Sequence, residues 1–571
     1  MLRNYAPLSK YTPSRIIVIL TLLACLPCNV IAENLSETDL LVAQGRRLYE
    51  EGINDSGKAS NGSPADTSKA TQTACIRCHR RSGMGTVEGD ILIAPVTGNY
   101  LFNPDKFQVA TMDPRSGKKF NQAHRAYTEE SLSKTLATGI NNEGRPLLAL
   151  MPHYHFEKND MTALTAYLKQ LSTVWSPGVD AETIHLATVI TPEVEPARRQ
   201  AFLDTLQMSI KQKNGNTSTI SNKKGRRHMT TAAEMVLGTE RKWDLQVWEL
   251  QGEPETWGGQ LDEKYKAQPV FALLSGVSNT TWAPVHNFCE INHVPCWFPS
   301  VTLPERSEDF YTLYFSRGVI LEAQVVAKWL IENDKPKRVI QIISNEPVSI
   351  EAAKEVDTLL AKAGVAVETR MVKEGEVTSS QLTGNVNAED VVIAWLRNDD
   401  LKEIPELAVK AIYYSAELTG GQEIKNAFAK NAHWIYPYEL PEKRQSNLTN
   451  FHAWQAMKKM PIIDEPLQAE VFFAVEFLTE TLSEMLDNIY RDYLIERAEG
   501  MLSRSEAIKS EQQIRERQMR GITGASIRQE STSIYPHLGL GIEQHFASKG
   551  AYIVHYDKDR KLSNESEWIV P

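Results

Sequence analysis

Apolar positions along this chain follow two regimes that change near residue 176. Before it they recur three and four apart, the spacing of one helix face. Residues 36–50 predict a helix, with Ser36 and Asp39 as a capping box and Leu40, Ala43 and Leu48 as the stripe. Thr128-Glu129-Glu130 opens a second helix with acid in its first turn; Leu132 and Leu136 face inward and Gly139 closes it. Asn159-Asp160 opens a third, carrying Leu164, Leu168 and Leu171 at i, i+4, i+7. Between the first two helices, Ser56 to Thr73 is rich in Gly, Ser, Ala, Thr and Asn and predicts a loop. The first regime is a small all-α unit, residues 33–176.

Trp175-Ser176-Pro177-Gly178 ends the third helix as a hinge. Beyond it, strands alternate with helices. The strands are Ile184–Ile190, Trp243–Leu250, Val270–Leu274, Val294–Phe298, Arg338–Ser344, Val365–Val372, Asp390–Trp395, Ala411–Ser415 and Trp434–Tyr438. Helices fall at Arg198–Ile210, Trp282–Cys289, Gly318–Asn333, Ser349–Ala363 and Gln422–Phe428. Alternation of this kind predicts doubly wound parallel sheets. Two runs divide near residue 310, giving an α/β domain of two lobes: about 183–305 plus 440–571, and 310–439. Asn214 to Arg227, polar and basic, reads as a surface insertion, and Ala469–Tyr490 as a packed helix. Residues 503–530 are charged and read as mobile, while Leu538–His555 reads as a closing strand pair.

Length and composition bound the rest. A chain of 571 residues exceeds one core. Hydrophobic content of 42% and charged content of 23% are ordinary for globular protein. A net charge of −10 argues against nucleic acid or an anionic membrane surface as partner. Arg3, Lys10 and Arg15 precede the apolar run Ile16–Ala24, and Val30-Ile31-Ala32 supplies small residues for cleavage, so residues 1–32 predict an export signal. The run is too short to span a bilayer. Leu22-Leu23-Ala24-Cys25 leaves an acylated Cys25 as the alternative. The expected location is periplasmic or secreted. Outside the signal, Cys75 and Cys78 belong to a motif, and Cys289 with Cys296 are expected to form one disulfide, two buried thiols being the alternative.

The motif is Cys75-Ile76-Arg77-Cys78-His79. C-x-x-C-H is the attachment signature of c-type haem: two thiols on one turn add across the porphyrin vinyls, and the adjacent histidine binds the iron. A zinc site wants a second Cys/His pair nearby, and none is present. One covalent haem c is therefore expected, with His79 as one iron ligand. Met151-Pro152, in the loop between the second and third helices, offers the sixth ligand; His124, His153 and His155 are its rivals, while Met84 follows His79 too soon to reach the other face. Residues 39–172 resemble a class I cytochrome c: first helix, C-x-x-C-H, the proline loop Ala94-Pro95-Val96, a penultimate helix, Met-Pro, and a last helix with Ala166-Tyr167-Leu168. That likeness implies that the Pro95 carbonyl holds the other nitrogen of His79, although Ala94-Pro95-Val96-Thr97 departs from the usual G-P-x-L. Residues Ile91 to Tyr127 are long for the fold and predict an added flap.

The second domain resembles the type I periplasmic binding fold of branched-chain amino acid receptors, on Ala272-Leu273-Leu274-Ser275-Gly276-Val277-Ser278-Asn279 followed by a helix, then Val294-Pro295 and Phe298-Pro299-Ser300-Val301-Thr302. The likeness implies a cleft lined by Ser275, Gly276, Ser278, Asn279, Ser300 and Thr302, where free N–H groups at a helix start attract a carboxylate. The expected function is one-electron transfer through covalent haem between periplasmic redox partner proteins, with a second domain for a small-molecule ligand or for partner docking. No triad, phosphate loop or further metal cluster is found, so no catalytic residue is assigned. A haem-bearing sensor and, behind it, a haem enzyme with an open sixth site using His153 or His155 are the other readings.

Overall fold

The computed structural model describes residues 36–54, 57, 74–88, 91–104, 124–224, 241–306, 309–372, 384–401, 407–420, 429–519, 533–542 and 544–571. The expected signal at 1–32, nearly all of the 56–73 loop, most of the Ile91–Tyr127 flap, the helix Gln422–Phe428 and residues 520–530 lie outside these. Among the described residues, no helix is long and apolar enough to cross a membrane.

In the first domain, helix Glu37–Glu51 starts at the Ser36/Asp39 capping box and ends at Gly52 in the left-handed region. It packs across helix Lys158–Gln170 at Gly45, where an added Cβ would sit 2.0 Å from the Ala163 carbonyl oxygen. Helix Glu129–Thr138 ends at Gly139, φ 68°. Leu48, Tyr49, Tyr100, Leu132, Leu164 and Leu168 form the core, against which Cys75 and Ile76 pack. The unit is not purely helical. β1 (Val87–Glu88) and β2 (Ile91–Leu92) form a short antiparallel ladder after the C-x-x-C-H turn.

The second domain contains two parallel sheets. In the first lobe, β3 (Thr183–Ile190) pairs with β4 (Lys242–Glu249) over eight residues. On its other side β3 meets β5 (Ala272–Leu274) and then β6 (Val277–Thr281). These two are halves of one strand, broken at Ser275 (φ 55°) and Gly276 (φ 133°). β7 (Cys296–Trp297) and β8 (Ser300–Leu303) are likewise halves of a strand broken at Phe298, φ 50°. β9 (Thr312–Leu313) adds to β7, so this short strand belongs to the first lobe although residues 310–439 were expected in the second. The second-lobe sheet runs β11 (Ala366–Met371), β10 (Arg338–Ile343), β12 (Val391–Trp395), β13 (Ala411–Ser415), β14 (Ala432–Tyr436), all parallel. Both lobes thus order their strands second, first, third, fourth, fifth, the doubly wound pattern whose cleft lies beyond the strands' carboxyl ends.

Three other expectations are corrected. β15 (Tyr552–Tyr556) and β16 (Leu562–Asn564) extend the second-lobe sheet beside β14 rather than returning to the first lobe. They cover an edge that would otherwise expose unpaired backbone. Helix Pro196–Lys224 runs through the expected insertion at Asn214. The Asn214 amide donates to the Trp243 carbonyl and accepts from the Trp243 N–H, both at 2.8 Å, completing the edge of β4. Helix Arg491–Met519 likewise occupies much of the stretch expected to be mobile. Helix Glu465–Met485 does belong to the first lobe, where Trp297 Nε1 donates to the Ala474 carbonyl at 2.9 Å.

The lobes are joined by paired crossings. Tyr314 N–H donates to the His545 carbonyl at 2.9 Å and Ala547 N–H to the Tyr314 carbonyl at 3.0 Å; Glu439 N–H donates to the Ile534 carbonyl at 2.8 Å. The lobes are closed on each other: Arg397 Nη2 donates to the Asn279 carbonyl at 2.8 Å, and Arg306 pairs with Glu355 at 2.9 Å.

Candidate functional site: a haem-binding turn and an interlobe cleft

Cys75 begins a single helical turn, Ile76–His79, which brings both thiols and the imidazole to one place. The His79 Nδ1–H donates to the Ala94 carbonyl at 2.9 Å. The expected acceptor was the Pro95 carbonyl; the structure uses the residue before it. Proline confines its predecessor to extended backbone, and that conformation turns the Ala94 carbonyl toward the ring. With Nδ1 engaged, Nε2 is the nitrogen left for iron. Burial holds the imidazole below its usual pKa, opposed by the Ala94 bond, and burial pushes the Cys75 thiol up to about 12. Tyr49 donates to the Arg80 carbonyl at 2.6 Å and fixes the exit of the turn.

The loop after helix Glu129–Thr138 comes over this turn. Tyr154, buried and stacked on Phe156 at 5.6 Å, has its hydroxyl pKa raised by burial and by Cys75 and Cys78 beside it. Met151 is half-buried in the same loop, and His153 and His155 are exposed. His124 packs edge-on to Tyr100 at 4.7 Å and has a buried Nε2 without a hydrogen-bond partner. Met84 is buried in the core shared with the second domain, which removes it as a ligand. Ile140, Leu148 and Leu150 are exposed apolar residues of the Met151 loop. Two thiols on one turn, an oriented imidazole and an uncovered apolar strip fit a covalently tethered porphyrin.

The six residues expected to line the cleft divide by role. Ser278 and Asn279 lie in β6 rather than at a helix start, because the next helix, Ala283–Ile291, begins beyond Trp282. Ser278 donates to Glu193 at 3.0 Å, and the Asn279 side-chain oxygen accepts from Arg198 at 2.5 Å. Gly276 turns the chain where a Cβ would meet the Trp282 ring at 2.6 Å. Thr302 is buried with its backbone against Gly318. Ser275 has a buried hydroxyl with no partner among the described residues. Ser300 lies beside the carboxyl of Glu470, whose pKa is pushed up to about 8 by burial and then by Glu417.

Sequence pattern did not single out the charged residues here. Arg397 follows β12 and Glu417 follows β13, just beyond the carboxyl ends of parallel strands, and that position was the available signal. Tyr438 donates to Glu417 at 2.9 Å and Tyr535 to Glu470 at 2.5 Å. Glu322 accepts from the Ser415 hydroxyl and from the Glu417 N–H at 3.0 Å, and burial holds its pKa well above the usual range. Cys289 and Cys296 are free thiols in this structure, both buried; burial and then the neighbouring Cys296 push the Cys289 pKa well up.

Residues 65–172 match the family model for cytochrome c. This segment is a cytochrome c domain. Residues 177–571 form an α/β domain of two lobes, each with a parallel sheet. Solved structures similar to the chain include a branched-chain amino acid ABC transporter protein from Thermus thermophilus with bound valine, at 10% identity and TM-score 0.47, covering 69% of this chain and 98% of that one. A leucine-binding protein from Thermotoga maritima has 13% identity and TM-score 0.44 over 68% of this chain and 99% of its own. A branched-chain amino acid transporter substrate-binding protein from Streptococcus pneumoniae has 10% identity and TM-score 0.44 over 68% of this chain and 100% of its own. No curated protein matches the sequence.

The cytochrome c domain is docked on the second domain through the residues that follow His79. Arg80 pairs with Glu499, both nearly fully buried. Glu496 accepts from the Ser82 N–H at 2.9 Å and from its hydroxyl at 2.5 Å. Burial pushes the Glu496 pKa up to about 8, opposed by Arg80 and Ser82. Arg81 stacks over Phe310 at 4.4 Å. Helix Arg491–Met519, which carries both glutamates, is itself anchored by Arg491, whose side chain donates to the carbonyls of Pro177, Val270, Phe271, Asn292 and His293 and to the Tyr265 hydroxyl.

Proposed function

We propose that the protein is an exported, monohaem electron-transfer protein whose second domain takes a small ligand between its lobes. The observation that carries this reading is the His79–Ala94 bond beside Cys75 and Cys78. It leaves one imidazole nitrogen free next to two thiols on one turn. When bound, haem c supplies a reversible one-electron iron couple. Cys75 and Cys78 would tether it, His79 would offer Nε2 to the iron, and Met151 would supply the other ligand, a thioether that raises the potential relative to a second imidazole. Ile140, Leu148 and Leu150, exposed apolar residues of the same loop, would offer it an apolar surface. In the second domain, Arg198 and Arg397 converge on Asn279 from opposite lobes, Arg198 also pairing with Asp464 and Arg397 with Glu346. This mixed polar and charged lining suits a small polar molecule, and closure of the lobes removes it from water.

The test is the visible spectrum of the purified exported protein, oxidised and reduced. A weak far-red band in the oxidised form, with no uptake of carbon monoxide on reduction, is expected of iron held by His79 and Met151. Loss of that band in Met151→Ala completes the assignment. Absence of the band together with carbon monoxide binding would mean an open iron, and the electron-carrier reading would give way to an enzyme or sensor.

A further inference from the structure

A chain of charged and polar groups, buried except at the exposed Asp309, runs from the haem turn to the lobe hinge. Arg80, the residue after His79, pairs with Glu499. The other oxygen of Glu499 meets His545 Nε2 at 2.9 Å. His545 Nδ1–H donates to the Asp309 carbonyl at 2.7 Å, and the Asp309 carboxylate meets His286 Nε2 at 3.0 Å. His286 Nδ1 in turn lies 3.0 Å from the Tyr314 hydroxyl. Arg80, Glu499, His545 and His286 are all nearly fully buried.

His545 and Tyr314 are also the hinge. The His545 carbonyl accepts from the Tyr314 N–H at 2.9 Å, and Ser548 N–H donates to the Phe315 carbonyl at 2.6 Å. One residue therefore holds Glu499 with its ring and the crossing between the lobes with its backbone. A rotation of one lobe against the other works at this crossing. The His545 ring cannot follow such a rotation without shifting against Glu499, and Glu499 cannot shift without changing the charge that faces Arg80. The packed surroundings, with Phe310 between Arg81 and His545, leave little room for independent adjustment.

We infer that the oxidation state of the haem and the opening of the cleft are linked through Arg80, Glu499 and His545, so that closure on a ligand shifts the haem potential and a change of redox state shifts the opening. The two effects are one coupling seen from either end and must be reciprocal. This rests on the haem reading above and adds the regulation of the same site. It gives the fusion of a redox domain to a binding domain a use: one-electron exchange becomes conditional on what the cleft holds.

The test needs no knowledge of the ligand. Gadolinium(III) chelate spin labels, which dithionite does not reduce, are attached at Lys266→Cys on helix Trp257–Ala267 of the first lobe and at Lys362→Cys on helix Pro347–Lys362 of the second, both exposed. The full-length exported haem protein is measured by pulsed dipolar spectroscopy, fully oxidised and again after one-electron reduction by dithionite. The expected result is a redox-dependent shift in the interlobe distance distribution that is at least halved by Glu499→Gln. Identical distributions in both states of the unsubstituted background would overturn the coupling, and an undiminished shift in Glu499→Gln would overturn the route. If Glu499→Gln does not fold, His545→Gln serves as the second variant, with the same expectation and the same refutation. An optical spectrum without a reversible haem couple would sink the haem reading itself, which keeps the two failures distinct.

Discussion

Replacing Arg491 with lysine keeps the charge and removes the fork. The arginine reaches five peptide carbonyls, at 2.6 to 3.4 Å, and the Tyr265 hydroxyl at 3.0 Å, with no carboxylate among these partners. A lysine ammonium has three N–H donors, so at least two of the five carbonyls lose their partner. Each buried polar group left unsatisfied costs about 1–3 kcal/mol, which puts Arg491→Lys at roughly 3 kcal/mol. Arg491→Met strands all five and should cost roughly 5 kcal/mol or more. The carbonyls belong to the interdomain linker and to the start of β5 and β7, so the loss should appear in the first lobe. The assay is guanidinium unfolding followed by hydrogen exchange of the amides at 270–274 and 292–297, since a protein of several domains does not unfold in one step. An Arg491→Lys protein within about 1 kcal/mol of the parent would refute the reasoning, because the fork would then be incidental.

Gly276→Ala combines a positive φ with a Cβ 2.6 Å from the Trp282 ring, so it should destabilise the first lobe by roughly 2–4 kcal/mol, read from the same unfolding curves. Gly45→Ala should loosen the cytochrome c domain by a comparable amount, seen as faster proteolysis within helix Glu37–Glu51. Glu470 has its carboxyl pKa raised from 4.5 to about 8, so the folded state binds its proton more tightly than the unfolded state. That contribution is complete below about pH 4.5 and is lost as pH rises through about 8. Glu470→Gln should therefore flatten the fall in unfolding free energy across this window, and an unchanged slope would remove Glu470 as its source. Cys289 and Cys296, free and buried rather than joined in the expected disulfide, should both be alkylated under denaturing conditions without reductant, and mass added only after reduction would show them oxidised instead.

Strands buried on both faces were legible because nothing interrupts their apolar runs: Val391–Trp395 and Ala411–Ser415 emerge almost to the residue. β6 and β8 were not legible as strands. Ser275-Gly276 and Phe298-Pro299 look like turns, and only the neighbouring β3 shows that the chain resumes the same sheet beyond the break. The polar stretch at Asn214 misled for a related reason, since its amide does backbone work for Trp243 that composition does not register. The return of β15 to the second lobe depends on a partner more than a hundred residues earlier and leaves no local mark. At the haem turn the residues were legible because covalent chemistry fixes their spacing; the hydrogen-bond acceptor was off by one residue because it belongs to the backbone.

The border between the two domains, plain in sequence at Trp175–Gly178, is not a border in stability. Cutting there would leave residues 177–571 with Glu496 and Glu499 stripped of Ser82 and Arg80, and with a vacancy in the core where Met84 packs. The other fragment would carry an arginine and a methionine shaped for a surface no longer present. Neither half is a free-standing module, so a shorter version of this protein that keeps its fold needs its new seam redesigned at residues 80–84 and 496–499 rather than at the linker.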